Sequence, residues 1–213
     1  MEEIKIYVVG NSTYYASWID NHKLVDNIED ADIVLFTGGE DVDPSIYGQE
    51  KHPKTYSNLE RDLKEKAEFE KMKPNQLALG ICRGSQLLCA LNGGNLIQDC
   101  GGHALFETHE ITDGIVSVSI TSTHHQMQYP FNLNKKDYDL LFYAKPKRSP
   151  YYDGFGIDNV PCESEVVYYH VAGKPCSLAI QGHPEIMRKE APVITILNKL
   201  IKRCLTDAHS KTF

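Results

Sequence analysis

The segment from Leu77 to Gly94, LALGICRGSQLLCALNGG, constrains the fold more than any other part of this chain. An apolar run leads into Gly80-Ile81-Cys82-Arg83-Gly84. A helical pattern follows at once, with Leu87, Leu88 and Leu91 on one face and Gly93-Gly94 as the stop. The segment reads as strand, sharp turn and helix, with a cysteine at the tip. Gly80 and Gly84 flank Cys82 symmetrically. Small residues there let strand and helix crowd together, so the middle residue is thrust out at a strained angle. The same construction with serine is the nucleophile elbow. A thiol at a helix N-terminus also sits at the positive end of the backbone dipole, which favours thiolate. The alternative is that Cys82 is a small buried hydrophobe; the glycine flanks favour the functional reading.

The 213 residues suffice for one domain, 1–213, with a sizeable core. Net charge is −7 and no run of Lys or Arg exceeds two residues, which argues against nucleic-acid and membrane-surface partners. The start, MEEIKIYVVGNSTYY, has no basic region followed by a long apolar one, so no signal peptide is expected. No apolar stretch approaches the roughly 18 residues of a membrane helix. The expected location is the cytoplasm. Six cysteines occur (Cys82, Cys89, Cys100, Cys162, Cys176 and Cys204), several inside apolar periodic segments, and reduced thiols are expected. Cys100 and His103 are three apart, but no second close Cys or His pair completes a usual zinc set, so no metal site is expected.

Ile4–Val9 and Ile33–Phe36 read as buried strands, with Trp18 and Ile19 in a short helix between them. Asn58–Lys73 has Leu59, Leu63 and Ala67 at four-residue spacing, an amphipathic surface helix closed by Pro74. From Ile115 the texture changes: VSVSI alternates, and Leu140–Tyr143, Val166–Tyr169 and Leu178–Ile180 look like further strands, some in antiparallel hairpins. The last helix runs from about Glu190 to Cys204, with Pro192 in its first turn. Apolar strands alternating with helices imply an α/β fold, its parallel sheet covered on both sides. Residues 144–164, polar and rich in Gly and Pro, make a long loop and a candidate active-site rim.

A cysteine nucleophile needs a base, and the base an orienting group. Of nine histidines, His183 is best placed, in SLAIQGHPE, just beyond an apolar strand. Catalytic groups gather at the C-terminal edge of a parallel sheet. Glu185 is two residues on and, in extended backbone, points the same way. Pro184 restricts its neighbour. Phe36-Thr-Gly-Gly-Glu-Asp-Val-Asp-Pro-Ser-Ile-Tyr-Gly48 is a glycine loop after a strand; the Gly39 N–H, paired with that of Arg83, can hold a developing oxyanion, or the loop is an ordinary acidic turn.

These blocks, in this order, resemble the class I glutamine amidotransferase superfamily over roughly residues 4–202. The resemblance implies a flavodoxin-like three-layer sandwich, with a mostly parallel sheet between helices and a small antiparallel region. It implies that Cys82 is the nucleophile, His183 the base and Glu185 its orienter, with Gly39 and Arg83 as the oxyanion hole. GGEDVDP with Tyr47-Gly48, then Arg61-Asp62, then His124-His125-Gln126, look like the γ-glutamyl hydrolase branch, which includes enzymes acting on γ-glutamyl-polyamine intermediates and folate polyglutamates. By the same resemblance Gly38, Gln86, His124, His125 and Gln126 lie at the substrate; for His124-His125 a plain polar loop is the alternative. Gly182 stands where many members of that branch carry an aromatic residue; it either widens the pocket or matches other amidotransferases with QGHPE. The implied chemistry is hydrolysis of a γ-glutamyl amide through a thioester, with no metal or organic cofactor. The alternatives are a glutaminase subunit feeding ammonia to a separate synthetase in trans and an inactive binding module on the same fold. The assembly state stays open, a homodimer included.

Overall fold

The computed structural model describes residues 3–10, 12–157 and 159–210. The strands β1 (Ile4–Val9), β2 (His22–Leu24), β3 (Ile33–Phe36) and β4 (Leu77–Ile81) are joined by a parallel ladder in the order β2-β1-β3-β4. Helix α1 (Leu59–Lys71) precedes β4, and α2 (Arg83–Leu91) follows it. Short strands β5 (Asn95–Ile97), β6 (Asp99–Cys100) and β9 (Met127–Tyr129) stand outside the main sheet. The sheet continues through β13 (Cys176–Ile180), parallel to β4, and then through β12 (Ser164–Tyr169), β10 (Tyr138–Ala144), β7 (Glu107–Thr112) and β8 (Ser117–Ser122), all in antiparallel pairings. Helix α3 (Pro192–Ser210) closes the chain. This is the flavodoxin-like architecture the sequence implied.

The parallel strands are buried on both faces, as their unbroken apolar composition requires. Alternate residues go to opposite layers. Ile33, Leu35, Leu77, Leu79, Leu178 and Ile180 pack with the Leu197 and Ile201 face of α3. Val34, Phe36, Ala78 and Ala179 pack with Phe69 of α1 and Leu87 and Leu88 of α2.

Four expectations need correction. Trp18 and Ile19 are buried, but the helical turn is a single 3-10 turn at Thr13–Ala16, ahead of them. In α1 the leucine stripe faces solvent, Leu59 being 41% and Leu63 52% exposed, whereas Asp62, Glu65 and Phe69 are buried. Helix α3 continues past Cys204 to Ser210, because nothing in Leu205–Ser210 breaks a helix. The 144–164 stretch is more than a rim: Tyr152–Asp153 forms β11, paired antiparallel with β6. All six cysteines are free. Among the described residues, no helix is long and apolar enough to cross a membrane.

Candidate active site

Strand pairing brings Cys82 and His183 together. β4 and β13 are parallel neighbours in register, with Ile81 opposite Ile180. Both chains therefore leave the sheet at the same edge, and the Cys82 N–H donates to the Ile180 carbonyl at 2.8 Å. Cys82 has φ +52° and ψ −111°, a costly conformation for a residue with a side chain, tolerated where the surroundings over-determine it. The two glycines supply that constraint. A Cβ on Gly80 would lie 2.5 Å from the Gly84 carbonyl oxygen, and one on Gly84 would lie 2.1 Å from that of Phe36. Helix α2 thus presses on β3 and β4 at a distance only glycine permits. The Ser85 hydroxyl donates to the Cys82 carbonyl at 2.6 Å and closes the turn.

His183 is clamped by Thr121 of β8. Its N–H donates to Thr121 Oγ1 at 2.7 Å, and that hydroxyl donates to the His183 carbonyl at 3.2 Å. Nδ1 of the ring lies 2.6 Å from Glu185 Oε1, and Cys82 is near enough to act on the ring's charge. Glu185 gets there differently from the extended backbone expected: Pro184–Ile186 is a 3-10 turn, which folds the carboxylate back onto the imidazole. Burial pushes the His183 ring toward its neutral form, but the contacts with Cys82 and Glu185 outweigh burial and raise its pKa to about 10. The shift favours the charged ring at neutral pH, with the Glu185 carboxylate on its Nδ1 side. Tyr15, which the sequence reading passed over, joins this group. Its ring centre is 6.2 Å from that of His183, and its hydroxyl contacts the Gly38 backbone. Burial first, then the charges of Glu185 and Cys82, raise its pKa, so it stays a protonated phenol.

Beside the His183 ring, the Gly38–Gly39 loop is held by α1. Arg61 donates to the Gly38 carbonyl at 2.9 Å, to Glu40 at 3.0 Å and to Glu65 at 2.7 Å. A Cβ on Gly39, whose φ is +147°, would meet Arg61 Nη1 at 2.1 Å. Asp62 accepts the Asp43 N–H at 2.8 Å. The Arg83 side chain, 2% exposed, runs back beneath the elbow to pair with both Asp62 and Glu65. Two acids of one helix therefore tie the glycine loop to the first residue of α2. Among the described residues neither the Gly39 nor the Arg83 N–H has a hydrogen-bond acceptor within the chain. First-turn helical N–H groups are left open in this way. Glu65 escaped the sequence reading. Its signal was there: Asp62, Glu65 and Phe69 share a helix face with i, i+3 and i+7 spacing.

The remaining candidates divide. His125 is partly exposed, with Nε2 3.1 Å from Asp41 and Nδ1 3.4 Å from Asp99. The Asp41 hydrogen bond outweighs burial and raises its pKa. His124 turns the other way and is 4% exposed, its Nδ1 2.9 Å from the Gln126 carbonyl; burial, with His103 second, holds its pKa well below the usual value. Gln86 donates to that same Gln126 carbonyl at 2.8 Å, and Gln126 donates to Thr55 Oγ1 at 3.1 Å. Gln86, His124 and Gln126 are thus buried as a brace, and only His125 of the triplet reaches the surface. Gly182 does not widen the cleft. A Cβ there would lie 2.6 Å from Ile120 Cγ1 and 2.7 Å from the Thr121 carbonyl oxygen, so β8 fills the space an aromatic ring would need.

The family model described as Peptidase C26 matches residues 13–135, more than half of the chain and including Gly38, Cys82 and His124–Gln126. A Mycobacterium tuberculosis protein provisionally named a glutamine amidotransferase is 30% identical over 157 residues, 71% of this chain and 50% of that one. The chain spans half or less of the length of the curated relatives it matches. Among solved structures, a Thermoplasma acidophilum protein provisionally described as one of the subunits of GMP synthase superposes with a TM-score of 0.60 at 17% identity, covering 99% of this chain and 96% of the other. A glutamine amidotransferase of Thermotoga maritima gives 0.53 at 14% identity, covering 99% and 92%. At such identities the likeness establishes the fold alone, that of the class I glutamine amidotransferases. The family match carries further: this chain belongs to the peptidase C26 family.

Proposed function

We propose that the chain hydrolyses a γ-glutamyl amide through a Cys82 thioester, as in the γ-glutamyl hydrolase branch of its superfamily. One observation carries the reading: the His183 ring, paired with the Glu185 carboxylate, stands beside Cys82 where the paired strands β4 and β13 end. The Cys82 thiolate attacks the γ-carbonyl, and the Arg83 and Gly39 N–H groups receive the negative oxygen. His183 then gives its proton to the leaving nitrogen, and the amine departs. The now neutral ring takes a proton from water, hydroxide attacks the thioester, and glutamate leaves as the thiolate is restored beside the reprotonated ring. Glu185 holds the ring through Nδ1 and stabilises its charged form, as the acid of a catalytic triad does. Each step uses protein groups and water.

A glutaminase that serves a separate synthetase is the second reading, supported by the likeness to the protein described as belonging to GMP synthase. The experiment is turnover of glutamine, γ-glutamyl-aminobutyrate and γ-glutamyl peptides by the purified chain, read as glutamate release. The hydrolase reading expects turnover of a γ-glutamyl amine or peptide by the chain alone; slow release from glutamine only, rising with a synthetase, favours the second reading. Cys82→Ala and Cys82→Ser should abolish turnover while the fold survives. Activity retained by the Cys82→Ala protein overturns the assignment.

A further inference from the structure

Behind β8 lies a second group of titratable side chains that the proposed chemistry does not use. His103, His124 and Glu165 each offer a ligand atom, and the three atoms lie within 4.8 Å of one another. His103 and Glu165 are fully buried, and His124 is 4% exposed. His103 Nδ1 stands 3.6 Å from Glu165 Oε1. Around a zinc ion with bonds of ~2.1 Å, tetrahedral ligands stand ~3.4 Å apart, so this pair is already near the required separation.

The hydrogen bonds leave His124 Nε2 and one Glu165 oxygen bare. A carbonyl only accepts, so His124 donates Nδ1–H to Gln126, and its Nε2 lone pair points into the protein with no partner. Glu165 Oε1 accepts from His109 Nε2 at 2.8 Å, while Oε2 has no partner. His103 Nε2 faces Glu163 Oε2 at 3.1 Å. Its Nδ1 lies 3.1 Å from the Ser122 hydroxyl, whose own proton goes to the His103 carbonyl at 2.7 Å. Buried polar atoms without partners are costly and rare, and this cluster holds four of them, His103 Nε2 and His109 Nδ1 besides those on His124 and Glu165. Each of the three side chains also has an orienting partner of the kind metal ligands use: Glu163 for His103, the Gln126 carbonyl for His124, and His109 for Glu165. Glu163 is itself fixed by the Arg148 and Ser149 N–H groups and the Tyr152 hydroxyl.

We propose that His103 Nδ1, His124 Nε2 and Glu165 bind one divalent transition-metal ion of the zinc class, in a buried site distinct from the Cys82–His183 cleft. Two imidazoles and a carboxylate are a known zinc donor set, with the fourth position open to water. Binding takes the His103 tautomer that keeps Nε2–H on Glu163 and leaves Nδ1 bare, and ties β12 to the segments that carry His103 and His124. The sequence reading missed this set because it sought closely spaced pairs: His124 lies 21 residues beyond His103, and Glu165 a further 41.

The test is calorimetric titration with Zn2+ of chelator-stripped full-length Cys82→Ala protein, in which the cleft thiol cannot compete. One equivalent should bind. Co2+ in its place should give visible bands of a tetrahedral nitrogen and oxygen site, without a thiolate charge-transfer band. Glu165→Gln in the same background should bind at least about 10-fold more weakly, since even outer-shell losses cost roughly 10–100-fold. If circular dichroism shows that this variant fails to fold, X-ray absorption of the zinc-loaded Cys82→Ala protein decides alone, and two imidazoles with oxygen are expected. No stoichiometric uptake, equal uptake by folded Glu165→Gln, or sulfur in the shell overturns the site. The readout is metal binding, so either result leaves the hydrolase reading where it stands.

Discussion

Two buried polar clusters lie near Cys82 and His183, and they differ in how completely they are paired. Beneath the elbow, Arg83 meets Asp62 and Glu65, and Arg61 meets Glu65, Glu40 and the Gly38 carbonyl. Behind β8, the His103, His109, His124, Glu163 and Glu165 group keeps unpartnered atoms on His103, His109, His124 and Glu165. Burying charge is expensive, and pairing offsets the expense only when it is nearly complete. The first cluster leaves one atom, Arg83 Nε, without a partner and acts as a frame; the second leaves several and is built to take something more.

Breaking the frame should have the largest effect on stability. Glu65→Ala leaves two arginines short of a partner and should destabilise the fold by about 3–5 kcal/mol, the usual cost of orphaning a buried charge. Urea unfolding measures it, and a loss below about 1 kcal/mol would make the cluster ornamental. Gly182→Ala pushes a methyl against Ile120 and the Thr121 carbonyl beside the second cluster, and about 1–3 kcal/mol is expected from overpacking, read the same way. Leu63→Gln, on the exposed leucine stripe of α1, should fall within about 0.5 kcal/mol of wild type. The order of Glu65 and Leu63 in this series sharpens the comparison, because sequence patterning alone predicts the reverse.

That reversal shows what was legible. The Cys82 elbow was readable because its cause is local: two glycines, an apolar strand and a helix start. His183 and Glu185 were readable because they follow a strand directly, although the turn that joins them was not. The strands of both halves declared themselves through apolar runs and alternation. The buried face of α1 was hidden because Leu59 and Leu63 imitate a core stripe, while the real demand on that helix comes from Arg83 and the Gly39 loop. The histidine and glutamate cluster was hidden for a different reason. Its members meet only through the pairing of β12 with the rest of the sheet, and no local spacing encodes that register.

The cleft pair carries its own pH signature. His183 has a folded-state pKa raised above its ordinary 6.5, to about 10. The proton is held more tightly in the folded protein, so this contribution to stability is fully present below pH 6.5 and is lost as the pH rises through about 10. Glu185→Gln removes one of the two upward causes. The gap in melting temperature between wild type and this variant should therefore be widest near pH 6 and shrink toward pH 10, and a gap that grows with pH would contradict the sign.

The most direct test is an NMR titration of the His183 ring in wild-type and Cys82→Ala protein. If sulfur and imidazole share the cleft as described, the wild-type ring titrates near 10, and the variant's value falls toward 6.5. An identical titration in both proteins would mean that the thiol does not face the ring, and the proposed nucleophile would lose its base.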